Sequence, residues 1–417
     1  MITSAIERRL QPYLSPLWLQ ARQVKRRRRA LDRSTVCFAG TERRLFVDLS
    51  IICKDDAGTG IQRVVRGIGV QLVQGQPENW KVQAVNATRH RPYHAIAWPL
   101  NRMESADEIT FEGRPGDVFL GLDFALDSVR RHEQQLVKFK RQGGEIWFVV
   151  HDFLPIQKPA WFSDQAVVRY RKWLRVIASL ADGFFCNSEQ TQKELCEEIL
   201  PRYGVRTGIE SRVLPMGWDL ATSRRNQGLP VGFEKLLGQI ELRPTVLMVG
   251  TVEPRKGYED ALTAFEVLWK KDFHCNLVIV GRPGWKTTDL QSRLRNHPLQ
   301  NTNLYWLDDA SDEALQKLYM ACDGVMIASR AEGFGLTFIE ALGYGKPLLV
   351  RDLPVFRNHQ SSGVWFFAAD ARPEELADAI EQWIGGSISK PDEAGSCAAS
   401  SWSDAARAIF SALSLRC

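Results

Sequence analysis

The chain has 417 residues, a length that favours two domains and therefore a cleft between them. Its 44% hydrophobic and 25% charged residues are those of a globular protein, and no run of eighteen apolar residues offers a membrane span. The net charge of +5 is concentrated in residues 1–34, where nine Arg or Lys face only Glu7 and Asp32, so the rest is slightly acidic and nucleic acid is not an expected partner.

In chain order, residues 1–43 form a basic amphipathic arm. Leu14, Leu17, Trp18 and Leu19 precede the basic run 25–29, which leaves two readings: contact with the inner-membrane surface through residues 1–34, or a solvated tail. Arg8 and Arg9 interrupt the apolar stretch and no small-residue cleavage site follows, so no signal peptide is expected. Over 44–222, short apolar runs alternate with helix-period segments, the pattern of βαβ units on a parallel sheet. Strands are expected at 45–50, 82–85, 117–121, 145–150, 183–186 and 211–214, with helices at 62–74 and 163–181. A polar, Gly- and Pro-marked stretch makes 223–243 an interdomain linker. The alternation resumes over 244–385, with strands at 245–250, 276–281, 304–307, 324–328, 347–350 and 363–368 and helices at 257–271, 311–322 and 336–344. Residues 386–417 comprise a Gly-, Ser- and Pro-rich connector and an amphipathic helix at 403–415. The eight cysteines show no C-x-x-C and no metal spacing, which suits free thiols in a reducing, cytoplasmic protein. The fold class is thus α/β, two Rossmann-like doubly wound domains facing a central cleft, with ligands at the carboxyl ends of the strands.

Five loops at such strand ends carry the chemistry. After the strand at 324–328 comes Ser329-Arg-Ala-Glu-Gly-Phe-Gly-Leu-Thr-Phe-Ile-Glu340. Gly333 and Gly335, flanking Phe334, let backbone amides approach an anion, and the helix beginning at Leu336 and Thr337 aims free N–H groups at it. An ordinary strand-to-helix turn with exposed acids is the alternative. After the strand at 245–250, Gly250 leads into Thr251-Val-Glu-Pro-Arg255-Lys256-Gly257, two cations suited to a departing diphosphate or simply solvated. The turn Asp56-Ala-Gly58-Thr-Gly60-Ile-Gln-Arg63 follows the first strand but has Arg63 where a dinucleotide fingerprint has its third glycine, which argues against a Rossmann oxidoreductase. His151 and Asp152 end the strand at 145–150, and Asn187-Ser188-Glu189 reads as a helix cap lining the cleft.

The Glu-x7-Glu segment EGFGLTFIEALGYGKP, preceded by GTVEPRKG, resembles family 4 of the retaining glycosyltransferases, the glycosyl transferases of group 1. The similarity is strong over 244–385 and diffuse in the first half. The resemblance implies the GT-B fold, with the final helix crossing back onto the first domain. It implies catalytic roles for His151, beside the reacting carbon, for Arg255 and Lys256 on the diphosphate, and for Glu332 on the donor-sugar hydroxyls. Gly60, Gly250, Gly333, Phe334, Gly335, Leu336 and Thr337 would line the donor, Glu340 would hold the ribose, and the loop ending at Asp309 would meet the base. Transfer would proceed by front-face substitution, with no cofactor and no metal. GDP-mannose is the favoured donor, in the manner of bacterial polysaccharide and lipopolysaccharide mannosyltransferases. A GDP- or dTDP-deoxyhexose or a UDP-sugar is the alternative, and the acceptor would be a glycan or lipid-linked oligosaccharide. Two other classes stay open, a nucleotide-sugar epimerase of the same fold and a non-catalytic scaffold. The expected location is cytoplasmic, with a peripheral position at the inner face of the membrane if the arm binds lipid.

Overall fold

The computed structural model describes residues 16–31, 42–99, 110–205, 208–219, 228–357, 363–386 and 400–415. Continuous apolar runs such as Glu145–Val150 (β5), Gly183–Cys186 (β6) and Leu304–Leu307 (β10) have the pattern of parallel strands covered on both faces. In the first half, β1 (Arg43–Asp48), β2 (Trp80–Asn86), β3 (His94–Ala95), β4 (Val118–Gly121), β5, β6 and β7 (Glu210–Val213) form a seven-stranded sheet in the order β3-β2-β1-β4-β5-β6-β7. All its pairings are parallel except that of the two-residue edge strand β3. The second half builds a six-stranded parallel sheet, β10-β9-β8-β11-β12-β13, from β8 (Thr245–Val249), β9 (Asn276–Val280), β10, β11 (Gly324–Ile327), β12 (Leu348–Arg351) and β13 (Val364–Phe367). The order of each sheet reverses beside its first strand, which opens a crevice at the carboxyl ends of β1 and β4 and of β8 and β11.

Helices fill both faces of each sheet. The helix Gly60–Gln74, closed at its start by a Thr59–Gln62 capping box, sends Val64, Ile68 and Leu72 into one cluster with Leu45 and Val47 of β1. The helix Trp402–Ser414 packs on the same cluster through Trp402, Ile409 and Phe410, so the chain's last described helix lies on its first domain. Close approach requires glycine there, because a Cβ on Gly67 would sit 2.4 Å from the Trp402 ring. The connector between 386 and 400 lies almost wholly outside the described residues.

Two sequence expectations change. Residues 233–240, placed in a linker by their polar, Pro-rich surroundings, form the helix Phe233–Ile240, whose Phe233 and Ile240 are buried against Leu247 and Tyr305 of the second domain. The part of that linker at 223–227 lies outside the described residues. Within the basic arm, Pro16–Leu31 is a helix docked on the first domain, with Val24 and Leu31 in its core. Arg28 donates to the terminal carbonyls of the helix Asp164–Leu180 and its cap, Ala178 O at 3.1 Å and Ala181 O at 2.8 Å, where the dipole favours a cation. Arg27 pairs with Glu133. Val24 and Leu31 are thus spent inside the domain. Leu17 remains exposed, and the arm's residues 1–15 and 32–41 lie outside the described residues.

Candidate active site

The loops after β8 and β11 meet first through their backbones. Gly257, at φ +69°, begins the helix Tyr258–Lys270 so close to β11 that a Cβ would lie 2.1 Å from Ala328 O, and Arg330 N donates to Arg255 O at 2.7 Å. That contact places Arg255 and Lys256 beside the acidic loop. Arg255 Nη1 donates to Glu332 Oε2 at 2.6 Å, Lys256 Nζ to Oε1 at 2.5 Å and Ser329 Oγ to Oε1 at 2.7 Å, while Arg255 Nε pairs with Glu253 at 2.7 Å. Burial alone would push the Glu332 carboxyl upward, but Arg255, then Lys256 and its hydrogen bonds, outweigh it and hold the group at about 2. Burial lowers Lys256, and the Glu332 carboxylate offsets only part of that. The four charged groups sum to zero, so an added anion must draw on the amides at the start of the helix Leu336–Gly343 or displace Glu332 from the cations. Gly335, at φ +89°, opens that helix, and Lys256, Glu332, Gly335 and Thr337 border one small cavity with Ser329. Gly250 precedes the cation loop and its carbonyl accepts from Tyr258 Oη at 2.6 Å.

The first domain closes against this cluster. Ser188, cap of the helix Glu189–Glu194, donates to Gly333 O at 2.6 Å, and Thr191 Oγ1 does so at 3.2 Å. A Cβ on Gly333 would stand 2.1 Å from His151 O. Phe334 and Leu336 pack against the first domain's core, and Leu336 Cδ1 would be 3.5 Å from a Cβ on Gly60. His151, 5% exposed, hydrogen-bonds the Leu122 carbonyl through its ring, and its Nε2 is buried with no hydrogen-bond partner among the described residues. Burial pulls this imidazole down to about 4, so at neutral pH it is uncharged and serves as a hydrogen-bonding group. Its neighbour Asp152 is driven by burial up to about 6 against the pull of Arg255.

Glu340 is 2% exposed, and both of its oxygens are engaged, one by Tyr319 Oη at 2.8 Å and the other by Arg63 of the first domain. The sequence reading marks Arg63 only as the missing third glycine. A cation in that position is the signal that could have nominated it. Of the expected site residues, Asp309 alone stands apart: it is exposed beyond β10, an edge strand two places from β8, and none of the cluster's hydrogen bonds involves it. Among the described residues no three His, Cys, Asp or Glu side chains form a group able to hold a metal.

A family model, the glycosyl transferases of group 1, matches residues 235–399. The serotype-specific mannosyltransferase WbdA of Escherichia coli is 35% identical over 349 residues, which are 82% of this chain and 43% of WbdA. This chain therefore matches less than half of the length of that relative. Among solved structures, HepE of Anabaena in complex with UDP aligns with a TM-score of 0.58 at 18% identity, over 89% of this chain and 100% of its own. Sucrose-phosphate synthase of Thermosynechococcus elongatus aligns with a TM-score of 0.58 at 16% identity, over 90% and 97%. At these identities the likeness is one of fold, two doubly wound domains in the GT-B arrangement.

Proposed function

The chain belongs to the glycosyl transferases of group 1, and from that premise we propose that it is a metal-independent, retaining hexosyltransferase that moves mannose from GDP-mannose to a glycan or lipid-linked oligosaccharide. The observation that carries the reading is the Arg255–Lys256–Glu332 cluster at the start of the helix Leu336–Gly343, inside the interdomain cleft. In the proposed reaction the bond between the anomeric carbon and the diphosphate breaks, and the acceptor oxygen bonds to the same face of the sugar. The acceptor proton passes to a leaving diphosphate oxygen. Arg255, Lys256 and the helix amides meet the growing negative charge, a preorganised contribution of about 3 kcal/mol for one such contact. Glu332 turns from the cations to the sugar hydroxyls as the donor enters, which frees Arg255 and Lys256 for the diphosphate. His151, neutral, offers Nε2 to the sugar rather than a charge.

Mannose is favoured because WbdA is named a mannosyltransferase. The UDP and UDP-glucose complexes of HepE keep a UDP-sugar as the alternative donor. The test is a panel of GDP-mannose, a GDP-deoxyhexose, dTDP-rhamnose and UDP-glucose, scored for diphosphate release with and without EDTA and for the anomeric configuration of the product. Turnover of GDP-mannose, indifferent to EDTA and with the α configuration kept, is the expected result. Preference for another donor removes the mannose assignment, an inverted product removes the mechanism, and absence of both turnover and diphosphate binding removes the enzyme reading.

A further inference from the structure

The helix Gly60–Gln74 starts at the carboxyl end of β1 and points its first turn across the cleft at the helix Leu336–Gly343. From this first turn Arg63 crosses to the second domain. Its side chain is 12% exposed, its Nη1 donates to Glu340 Oε1, and its Nε is buried with no hydrogen-bond partner among the described residues. A guanidinium carries its donors in a rigid planar fork, so a partnered Nη1 fixes where Nε points. Burying an unused donor is costly, and a site that leaves one in place beside a carboxylate is set to receive a neutral group that accepts and donates at once. Glu340 has the complementary capacity. Each carboxylate oxygen accepts two hydrogen bonds, and Arg63 and Tyr319 take one at each.

We propose that Arg63 is a nucleotide-binding residue supplied by the first domain, bracketing the ribose cis-diol of the donor together with Glu340, which accepts from the 3′-hydroxyl while Arg63 Nε donates to the 2′-hydroxyl. This rests on the reading that Glu340 faces the donor nucleotide. The consequence is that the second domain's nucleotide site is complete only when the cleft is closed, because one of its donors belongs to the opposite domain. A Lys at the same place keeps a cation beside Glu340 and lacks the second fixed donor.

The experiment is isothermal titration of the full chain, wild type, Arg63→Lys and Arg63→Met, with GDP and UDP and with their 2′-deoxy counterparts dGDP and dUDP. Circular dichroism checks that each variant is folded. For whichever base binds, the wild type is expected to prefer the ribose form by about tenfold, the scale of one hydrogen bond to a charged group. In both variants the ratio is expected to shrink by roughly threefold or more, beyond any loss common to both ligands. A purely structural Arg63 would weaken both ligands equally and leave the ratio intact, and that result overturns the proposal, as does a wild type that binds ribose and deoxyribose forms alike. If neither GDP nor UDP binds the wild type, this assignment fails, and the transferase reading fails with it when dTDP does not bind either. Binding with an unchanged ratio in the variants fails the assignment alone.

Discussion

Replacing Glu332 with Gln separates two roles that the same contacts could serve. In the wild type the carboxyl is held at about 2 against an ordinary 4.5, a shift worth ~3 kcal/mol of folding stability. A carboxyl depressed in the folded state contributes that stability above the unfolded value and loses it as pH falls through the folded one. The Glu332→Gln variant is therefore expected to be less stable than the wild type by ~3 kcal/mol at pH 7, with less than half of that difference left near pH 3. Binding should move the other way. If the donor diphosphate and Glu332 compete for Arg255 and Lys256, 2.6 and 2.5 Å from the carboxylate, the amide variant has no competitor and should bind GDP on the order of tenfold more tightly. Thermal unfolding with and without saturating GDP reads both effects at once: a lower starting Tm, and a ligand stabilisation larger by about 1.4 kcal/mol. Transfer should nevertheless fall on the order of 100-fold, because the sugar loses its carboxylate partner. Weaker GDP binding in step with lost transfer would refute the competition and make Glu332 a brace that holds the cations in place.

Lys256→Met is expected to lower transfer on the order of 100-fold while leaving Glu332 paired with Arg255 and Ser329; near-normal turnover would remove its role at the leaving group. Gly333→Ala places a methyl 2.1 Å from His151 O, so the two domains must part locally; turnover should drop far more than Tm, and an active variant would show that closure at this point is not required. Asp48, fully buried, is pushed by burial and by the Asp123 carboxylate up to about 7, with Ser50 and Tyr93 opposing. A carboxyl raised in the folded state binds its proton more tightly there, so its stabilising contribution is complete below the unfolded value of 3.8 and is lost as pH rises towards 7. Relative to the wild type, Asp48→Asn should therefore gain stability between pH 4 and pH 7, measured by denaturant unfolding; parallel curves would place the charge elsewhere.

What could be read from the sequence and what could not follow from how each feature is encoded. The strands at 145–150, 183–186 and 304–307 stand where the apolar runs stand, because a strand buried on both faces needs no partner information to be recognised. The helix Pro16–Leu31 hid behind its own charge: Val24 and Leu31 supply only two anchors, and Arg28 looks solvated until the carbonyls that end a neighbouring helix are known. Phe233–Ile240 was masked by the Pro and Gly that precede it, since breakers mark where a helix can start as well as where none exists. At the site, the loops could be nominated one at a time, and the clasp of Glu332 by two cations is at least local to neighbouring strands. The pairing of Arg63 with Glu340 spans 277 positions and follows no periodicity.

Gly333 shows why the closing of the cleft is the least legible part. In the sequence it is half of a Gly-x-Gly, a pattern so common that it says only that backbone is allowed to approach something. In the structure that something is the opposite domain: the carbonyl of His151 stands where a side chain would begin, and Ser188 and Thr191 bind the carbonyl of Gly333 itself. The contact is made by an absent Cβ and by main-chain atoms that every residue possesses, so no choice of side chain at 333 announces it. Arg63 and Glu340 sit on the two helices that this contact draws together, and their ion pair needs the domains to approach as closely as Gly333 permits. A ligand that bridges the two helices thus meets a site whose width is set by a hydrogen atom, and the residue that decides closure carries no chemistry of its own.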